Sequence, residues 1–137
     1  MKRLIAFLFV LFGFSNPLLA DDSVYQKEII GTWVLGQQDL AYGTLWSHLE
    51  YHENGKTTYY QYASAKCEKL VATVHGTWVI LNGTLVNTAL SSTGQIKVPL
   101  GETFADKIVS LSDGEMVLQT DRGVTAYRTK NKSCSDH

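Results

Sequence analysis

The residues best placed to do chemistry lie in one short stretch, Ser47-His48-Leu49-Glu50-Tyr51-His52, followed by Tyr59, Tyr60 and Tyr62. A serine, a histidine and a carboxylate are the parts of a nucleophilic triad, and two histidines with a glutamate are the parts of a metal site. Spacing decides against both. Side chains alternate faces along a strand, so Ser47 points away from His48 and cannot pass it a proton. His48, Glu50 and His52 do share a face, but neighbours two apart are separated by roughly 7 Å and all three span roughly 13–14 Å of straight strand. One pair is close enough to share an ion; the trio is not, and the expectation is a solvated polar face with no metal. The chain has no Gly-x-Ser-x-Gly, no glycine-rich phosphate loop and no His-Glu-x-x-His. No catalytic residue and no cofactor are therefore expected.

The elements that must hold these residues read as strands. Turn signals fall at Glu53-Asn54-Gly55-Lys56, Leu81-Asn82-Gly83-Thr84, Ser112-Asp113-Gly114-Glu115 and Asp121-Arg122-Gly123. Asn-Gly and Asp-Gly accept the positive φ of tight hairpins. Between them lie runs rich in Val, Ile, Thr, Tyr and Trp, at Gly31–Gly36, Thr44–His52, Thr57–Tyr62, Leu70–Ile80, Thr84–Ser91, Thr103–Leu111, Met116–Thr120 and Val124–Thr129, as strands prefer. A ninth run is marked at Ile96–Leu100, and Ser23–Ile30 reads as a short helix with Ser23 as its N-cap. About eight antiparallel strands in meander order must close or stack to hide their edges. The expected fold is all-β, a single up-and-down barrel with a short N-terminal helix; a sandwich is the alternative.

A two-residue turn at Asn54-Gly55 would pair Glu53 with Lys56. Leu49 would then face Tyr60, Tyr51 would face Thr58 and Ser47 would face Tyr62, with His48, Glu50, His52 and Tyr59 on the opposite, polar side. The inward set Leu49, Tyr51, Tyr60 and Tyr62, joined by Trp78, is the expected lining of a ligand site, with hydroxyls to orient a polar head. Tyr59 and Trp46 would point outward, where exposed aromatics suit a protein partner. The same arithmetic pairs Ile80 with Leu85, Trp78 with Asn87, Leu111 with Met116 and Val109 with Leu118.

The chain has 137 residues, 45% hydrophobic and 18% charged, with net charge −1. That is one domain's worth, too apolar for disorder and without the basic excess of a nucleic-acid binder. Lys2 and Arg3, the apolar run Leu4–Phe14 and the ending Leu18-Leu19-Ala20 read as a signal peptide over residues 1–20. The apolar run is about half of the roughly 20 residues a bilayer span needs. The mature domain is then 21–137, periplasmic or secreted, with 10 basic against 13 acidic side chains and no second apolar run to cross a membrane. In an oxidising compartment Cys67 and Cys134 most simply pair, and closing that loop contributes on the order of 4 kcal/mol. Two free thiols or a redox pair remain the alternative, without a Cys-x-x-Cys spacing to favour it.

Gly31-Thr32-Trp33-Val34-Leu35 recurs as Gly76-Thr77-Trp78-Val79-Ile80. Glycine permits close backbone approach and tryptophan fills a barrel end. A Gly-x-Trp on the first strand after a helical lead-in, with an arginine on the last strand, resembles the lipocalin and calycin barrels; the matching residues are Gly31, Trp33 and Arg128. The closer likeness is to short lipocalin-like domains of exported bacterial proteins, with a second Gly-Thr-Trp at Gly76, Thr77 and Trp78 and the segment Ile108-Val109-Ser110-Leu111-Ser112-Asp113. The resemblance implies that Trp33 packs under Arg128 to close one barrel end. It also implies a non-catalytic protein that binds a small apolar or amphipathic molecule in the barrel mouth. The alternative is a periplasmic protein-binding module acting through the outer face, as in small barrels that inhibit lysozymes.

Overall fold

The computed structural model describes residues 22–40, 43–94 and 99–131. The expected signal peptide, Cys134 and residues 96–98 of the expected ninth strand lie outside the described residues, while Pro99 and Leu100 are not strand. A helix α1 (Asp22–Glu28) leads into eight strands: β1 (Gly31–Leu40), β2 (Gly43–Tyr51), β3 (Lys56–Tyr62), β4 (Leu70–Leu81), β5 (Thr84–Gly94), β6 (Thr103–Ser112), β7 (Glu115–Gln119) and β8 (Thr125–Asn131). Each strand pairs antiparallel with the next, and β8 returns to β1, so the sheet is a closed up-and-down barrel. Closure removes every edge.

Two of the three hairpins at the α1 end take the turns their dipeptides favour. Asn82 and Gly83 have φ of 51° and 74°, Asp113 and Gly114 have 52° and 76°, the paired positive values of two-residue primed turns. The β2–β3 turn differs. Only Gly55 is left-handed, at φ 79°, His52 N–H donates to the Lys56 carbonyl at 2.9 Å and Asn54 Oδ1 accepts from Lys56 N at 3.1 Å. That is a three-residue loop, Glu53-Asn54-Gly55, rather than the expected two-residue one. Trp78 on β4 holds it from beneath, donating its backbone N–H to Gly55 O at 2.9 Å and its indole N–H to His52 O at 2.9 Å.

One added loop residue shifts the register by one and turns every β3 side chain over. The observed pairs are Tyr51–Thr57, Leu49–Tyr59, Ser47–Gln61, His48–Tyr60 and Trp46–Tyr62. Tyr59 therefore packs against the core, while Tyr60 and Tyr62 take the opposite face of β3, where Tyr62 is nonetheless buried, at 6% exposure. This corrects the expected inward placement of Tyr60 and Tyr62 and the outward placement of Tyr59. Trp46 is outward, as expected. In the β6–β7 hairpin Leu111–Met116 holds, but a bulge at Val109 pairs Leu118 with Ile108 instead. The β4–β5 expectations, Ile80–Leu85 and Trp78–Asn87, are both met.

The core fills the α1 end. Ile29, Trp33, Leu85, Met116 and Leu118 are wholly buried, with Tyr51, Ile80, Ile108 and Leu111 almost so. Trp33 donates its indole N–H to Ile29 O at 2.7 Å, and Lys130, its cross-strand partner, places Nζ 5.2 Å from the ring centre. The same ammonium donates to Glu28 O at 2.9 Å at the end of α1, where a cation suits the exposed carbonyls. Lys130, not Arg128, covers Trp33. Gly31, at φ 128°, leaves the space that the Lys130 stem occupies, 3.3 Å from where a Cβ would stand. The Asp22 carboxylate accepts from the Asn82 and Gly83 amides at 2.7 and 2.8 Å, clasping α1 to the β4–β5 turn. In the second Gly-Thr-Trp, a Cβ on Gly76 would stand 2.1 Å from Thr88 O, so close approach of β4 and β5 requires the glycine.

Candidate functional site

Against this apolar plug, five strands place polar groups inside the barrel. Tyr51 comes from β2, and Trp78 and Asn87 are cross-strand partners on β4 and β5. Asp106 on β6 faces the buried Leu85, and Arg128 on β8 faces the buried Met116. Cross-strand partners share a face, so all five point inward. Tyr51 and Trp78 meet edge to face, ring centres 5.9 Å apart.

The polar atoms of this cluster are poorly matched to one another. The Tyr51 hydroxyl accepts from Asn87 Nδ2 and from Arg128 Nη1, each at 3.4 Å, long for bonds that favour about 2.9–3.0 Å. Asn87 Oδ1 is buried with no partner among the described residues. Asp106 has no hydrogen bond among them and lies beyond ion-pairing distance of Arg128. Burial pushes the Asp106 carboxyl above its ordinary pKa, the Arg128 guanidinium opposes this and Asp121 adds to it. Burial likewise pushes the Tyr51 phenol up, against the pull of Arg128 and Asn87. Buried polar atoms normally find partners, and Asn87 Oδ1, the one buried atom of this cluster without one among the described residues, calls for a water or a ligand.

Towards the end opposite α1, Tyr59 donates its hydroxyl to Ser47 Oγ at 2.9 Å. Gln61, only 5% exposed, has its Oε1 unpartnered among the described residues. Ala72, Val74, Gly76 and Ala89 supply a wall of small side chains on β4 and β5. Two open clefts border this cluster, one at Tyr51 and one at Trp78. One of about 440 Å³ is bordered by Ile30, Thr32, Tyr51 and Asn54 among others, and one of about 460 Å³ by Gln26, Lys27, Ile30, Glu53 and Trp78. Neither touches Asn87, Asp106 or Arg128.

No family model, curated protein or solved structure matches this chain. The site must be read from its own geometry.

Of the expected lining set, the structure brings together Leu49, Tyr51 and Trp78 and sends Tyr60 and Tyr62 to the opposite face. There Tyr60 stacks on Tyr62 at 6.3 Å and His48 meets Tyr62 edge-on at 5.7 Å. Burial holds the His48 pKa below its ordinary value. His48, Glu50 and His52 share one face as expected, but it is not the solvated face expected there, since His48 is buried; Glu50 ties to His52 at 3.1 Å and to Thr32 at 3.2 Å, while His52 also reaches Thr58 at 3.1 Å. No group of three metal-binding side chains occurs among the described residues. Asp106 and Arg128 were missed as an interior pair, although a signal exists. Asp106 stands in phase with Ile108 on β6, and Arg128 with Ala126 on β8, so alternation alone sends both charges inward.

Proposed function

We propose that this chain is an exported, non-catalytic binding protein that takes a small amphipathic molecule into the barrel from the end opposite α1. The observation that carries the reading is the orphaned Asn87 Oδ1 and the long bonds from Asn87 and Arg128 to the Tyr51 hydroxyl, with the half-buried Asp106 facing the same interior. Unmatched polar groups cost stability, and an amphipathic ligand offsets that cost by matching them and burying its own tail. Leu49, Tyr51, Tyr59, Trp78, Asn87, Asp106 and Arg128 are the proposed lining. Kinship with the short lipocalin-like domains of exported bacterial proteins is part of the proposal. It is supported by Gly31 and Trp33 at a helix-sealed barrel end, with a basic residue of the last strand over the indole. A signal peptide over 1–20, export to the periplasm or medium, and a Cys67–Cys134 bridge belong to the same proposal and rest on the sequence.

Delipidated protein refolded from residues 21–137 should bind the apolar dye N-phenylnaphthylamine and quench its own tryptophan emission. Tyr59→Ala should weaken binding and the outer-face Tyr60→Ala should not. Absence of dye binding, with no host lipid in native mass spectra, refutes the reading. Intact mass should match 21–137 less two hydrogens; two thiols alkylated without reduction would remove the bridge.

A second reading has its own observation. On the outer wall, Tyr127 is 75% exposed beside its partner Val117, and Val109 bulges out nearby at 55%. Exposed aromatic and aliphatic groups together suit a protein partner. Under that reading Tyr127→Ala alters a phenotype while interior changes do not.

A further inference from the structure

The interior charges differ from those of a site built for a simple anion or a simple cation. Arg128 and Asp106 reach the same space from β8 and β6, close enough to influence each other and the Tyr51 phenol, yet they do not close into an ion pair. Both side chains are half-buried, so the space they share is wet and each charge keeps access to water. Here cross-strand partnering with Met116 and Leu85 fixes the two residues on non-adjacent strands. β7 stands between them on the barrel wall. The gap is flanked by one strong donor, one strong acceptor and the orphaned acceptor Asn87 Oδ1.

Each simple head group fails part of this set. A carboxylate matches Arg128 but meets Asp106 with like charge and leaves Asn87 Oδ1 unmatched. An ammonium matches Asp106 and Asn87 Oδ1 but is repelled by Arg128. An ester accepts from Arg128 and offers nothing to the two acceptors. A primary amide satisfies all three: its carbonyl accepts from the guanidinium, and its two N–H bonds go to Asp106 and Asn87 Oδ1. Its zero net charge leaves the Arg128–Asp106 balance undisturbed. We propose that the interior site selects a head group of zero net charge with adjacent acceptor and donor, of the primary-amide type, on an apolar tail lying along Ala72, Val74 and Ala89. This rests on the interior-binding reading above and specifies its ligand.

The test is a matched series of probes sharing one tail: dodecanamide, dodecanoate, dodecylamine and methyl dodecanoate. Each is titrated against the delipidated protein at neutral pH below its micellar concentration. Dodecanamide should bind at least about tenfold tighter than each of the others, the worth of one hydrogen bond to a charged group. Asp106→Asn, nearly the same shape, should invert the order of amide and acid by strengthening dodecanoate binding. Arg128→Gln should strengthen dodecylamine binding in the same way. Circular dichroism checks that each variant is folded, and Asn87→Ser supplies a third variant, expected to weaken dodecanamide and dodecylamine and to leave dodecanoate and the ester unchanged. If no probe binds, the interior-binding reading itself fails. If the probes bind with equal affinity, or dodecanoate binds tightest to the unaltered protein, the interior reading stands and the amide-type selection is overturned. Variants that leave the order unchanged overturn it as well.

Discussion

The sealed end of the barrel yields a measurement that separates two arginine-or-lysine assignments one pleat apart. Lys130 Nζ is 5.2 Å above the Trp33 ring and 2.9 Å from Glu28 O. At an exposed site the ring contact is worth about 0.5–1 kcal/mol, and a cation at a helix C-terminus about 0.3–1 kcal/mol. Lys130→Ala should therefore cost about 1–2 kcal/mol. Trp33 is wholly buried and its indole N–H reaches Ile29 O at 2.7 Å. Truncation to alanine should cost about 3–5 kcal/mol. Trp33→Phe keeps most of the ring but orphans the Ile29 carbonyl, and should cost about 1–3 kcal/mol. Urea unfolding followed by far-ultraviolet circular dichroism avoids the altered tryptophan signal. In a double-mutant cycle built on Trp33→Phe or Trp33→Ala, Lys130→Ala should couple by about 0.5–1 kcal/mol, while Arg128→Ala should add independently within about 0.5 kcal/mol. Stronger coupling of Trp33 to Arg128 than to Lys130 would refute the assignment.

The register of β3 has its own test. Tyr59→Ala should cost about 3 kcal/mol, as for a large core side chain, and clearly more than Tyr60→Ala; equal losses in urea midpoints would contradict the inward placement of Tyr59. Gly76→Ala drives a Cβ to 2.1 Å from Thr88 O and should cost about 3 kcal/mol or more. Gly83→Ala, with φ 74° and open space around it, should cost about 1–2 kcal/mol from backbone strain alone, and a reversed order in thermal melts would be evidence against that packing. Asp106 has a raised pKa when folded, so the folded chain holds its proton more tightly than the unfolded chain does. Its contribution to stability is full below the unfolded value and is lost as pH rises through the folded one. Asp106→Asn should match the unaltered protein in acid and exceed it at neutral pH, whereas a difference independent of pH would discount the burial of Asp106.

Alternation and turn chemistry made the barrel legible before any coordinates. Asn82-Gly83 and Asp113-Gly114 have paired positive φ, so counting outward from them gives the observed pairs at each hairpin base. Asn54-Gly55 looks identical in sequence, yet Trp78 from another strand grips its carbonyls and the loop takes a third residue. That contact is tertiary, and no local rule reads it. The cost was the whole inner face of β3, and with it Tyr60 and Tyr62. Arg128 and Lys130 failed for a related reason. Both stand on the same face of β8, and only the β1–β8 register, set by closure rather than by a turn, decides which meets Trp33. The bulge at Val109 was invisible because Val, Ser and Leu alternate plausibly in either phase.

That closure is a narrow ring bond. Among the described residues the β1–β8 seam rests on three residue pairs, Thr32–Asn131, Trp33–Lys130 and Val34–Thr129, against nine between β1 and β2. It also joins segments nearly the full length of the domain apart, so the chain entropy lost in making it is the largest of any strand pairing. The hairpins, by contrast, close over short loops and are stapled in series: Gly55, Gly83 and Gly114 carbonyls accept from the Trp78, Ile108 and Lys130 amides. The sheet should therefore zip from hairpin to hairpin and shut its seam last. In the native state the seam is then the place where the cylinder breathes. Amide hydrogens of Thr32, Val34 and Asn131 should exchange ahead of those between β4 and β5, and whatever passes through the wall, rather than the mouth, would pass there.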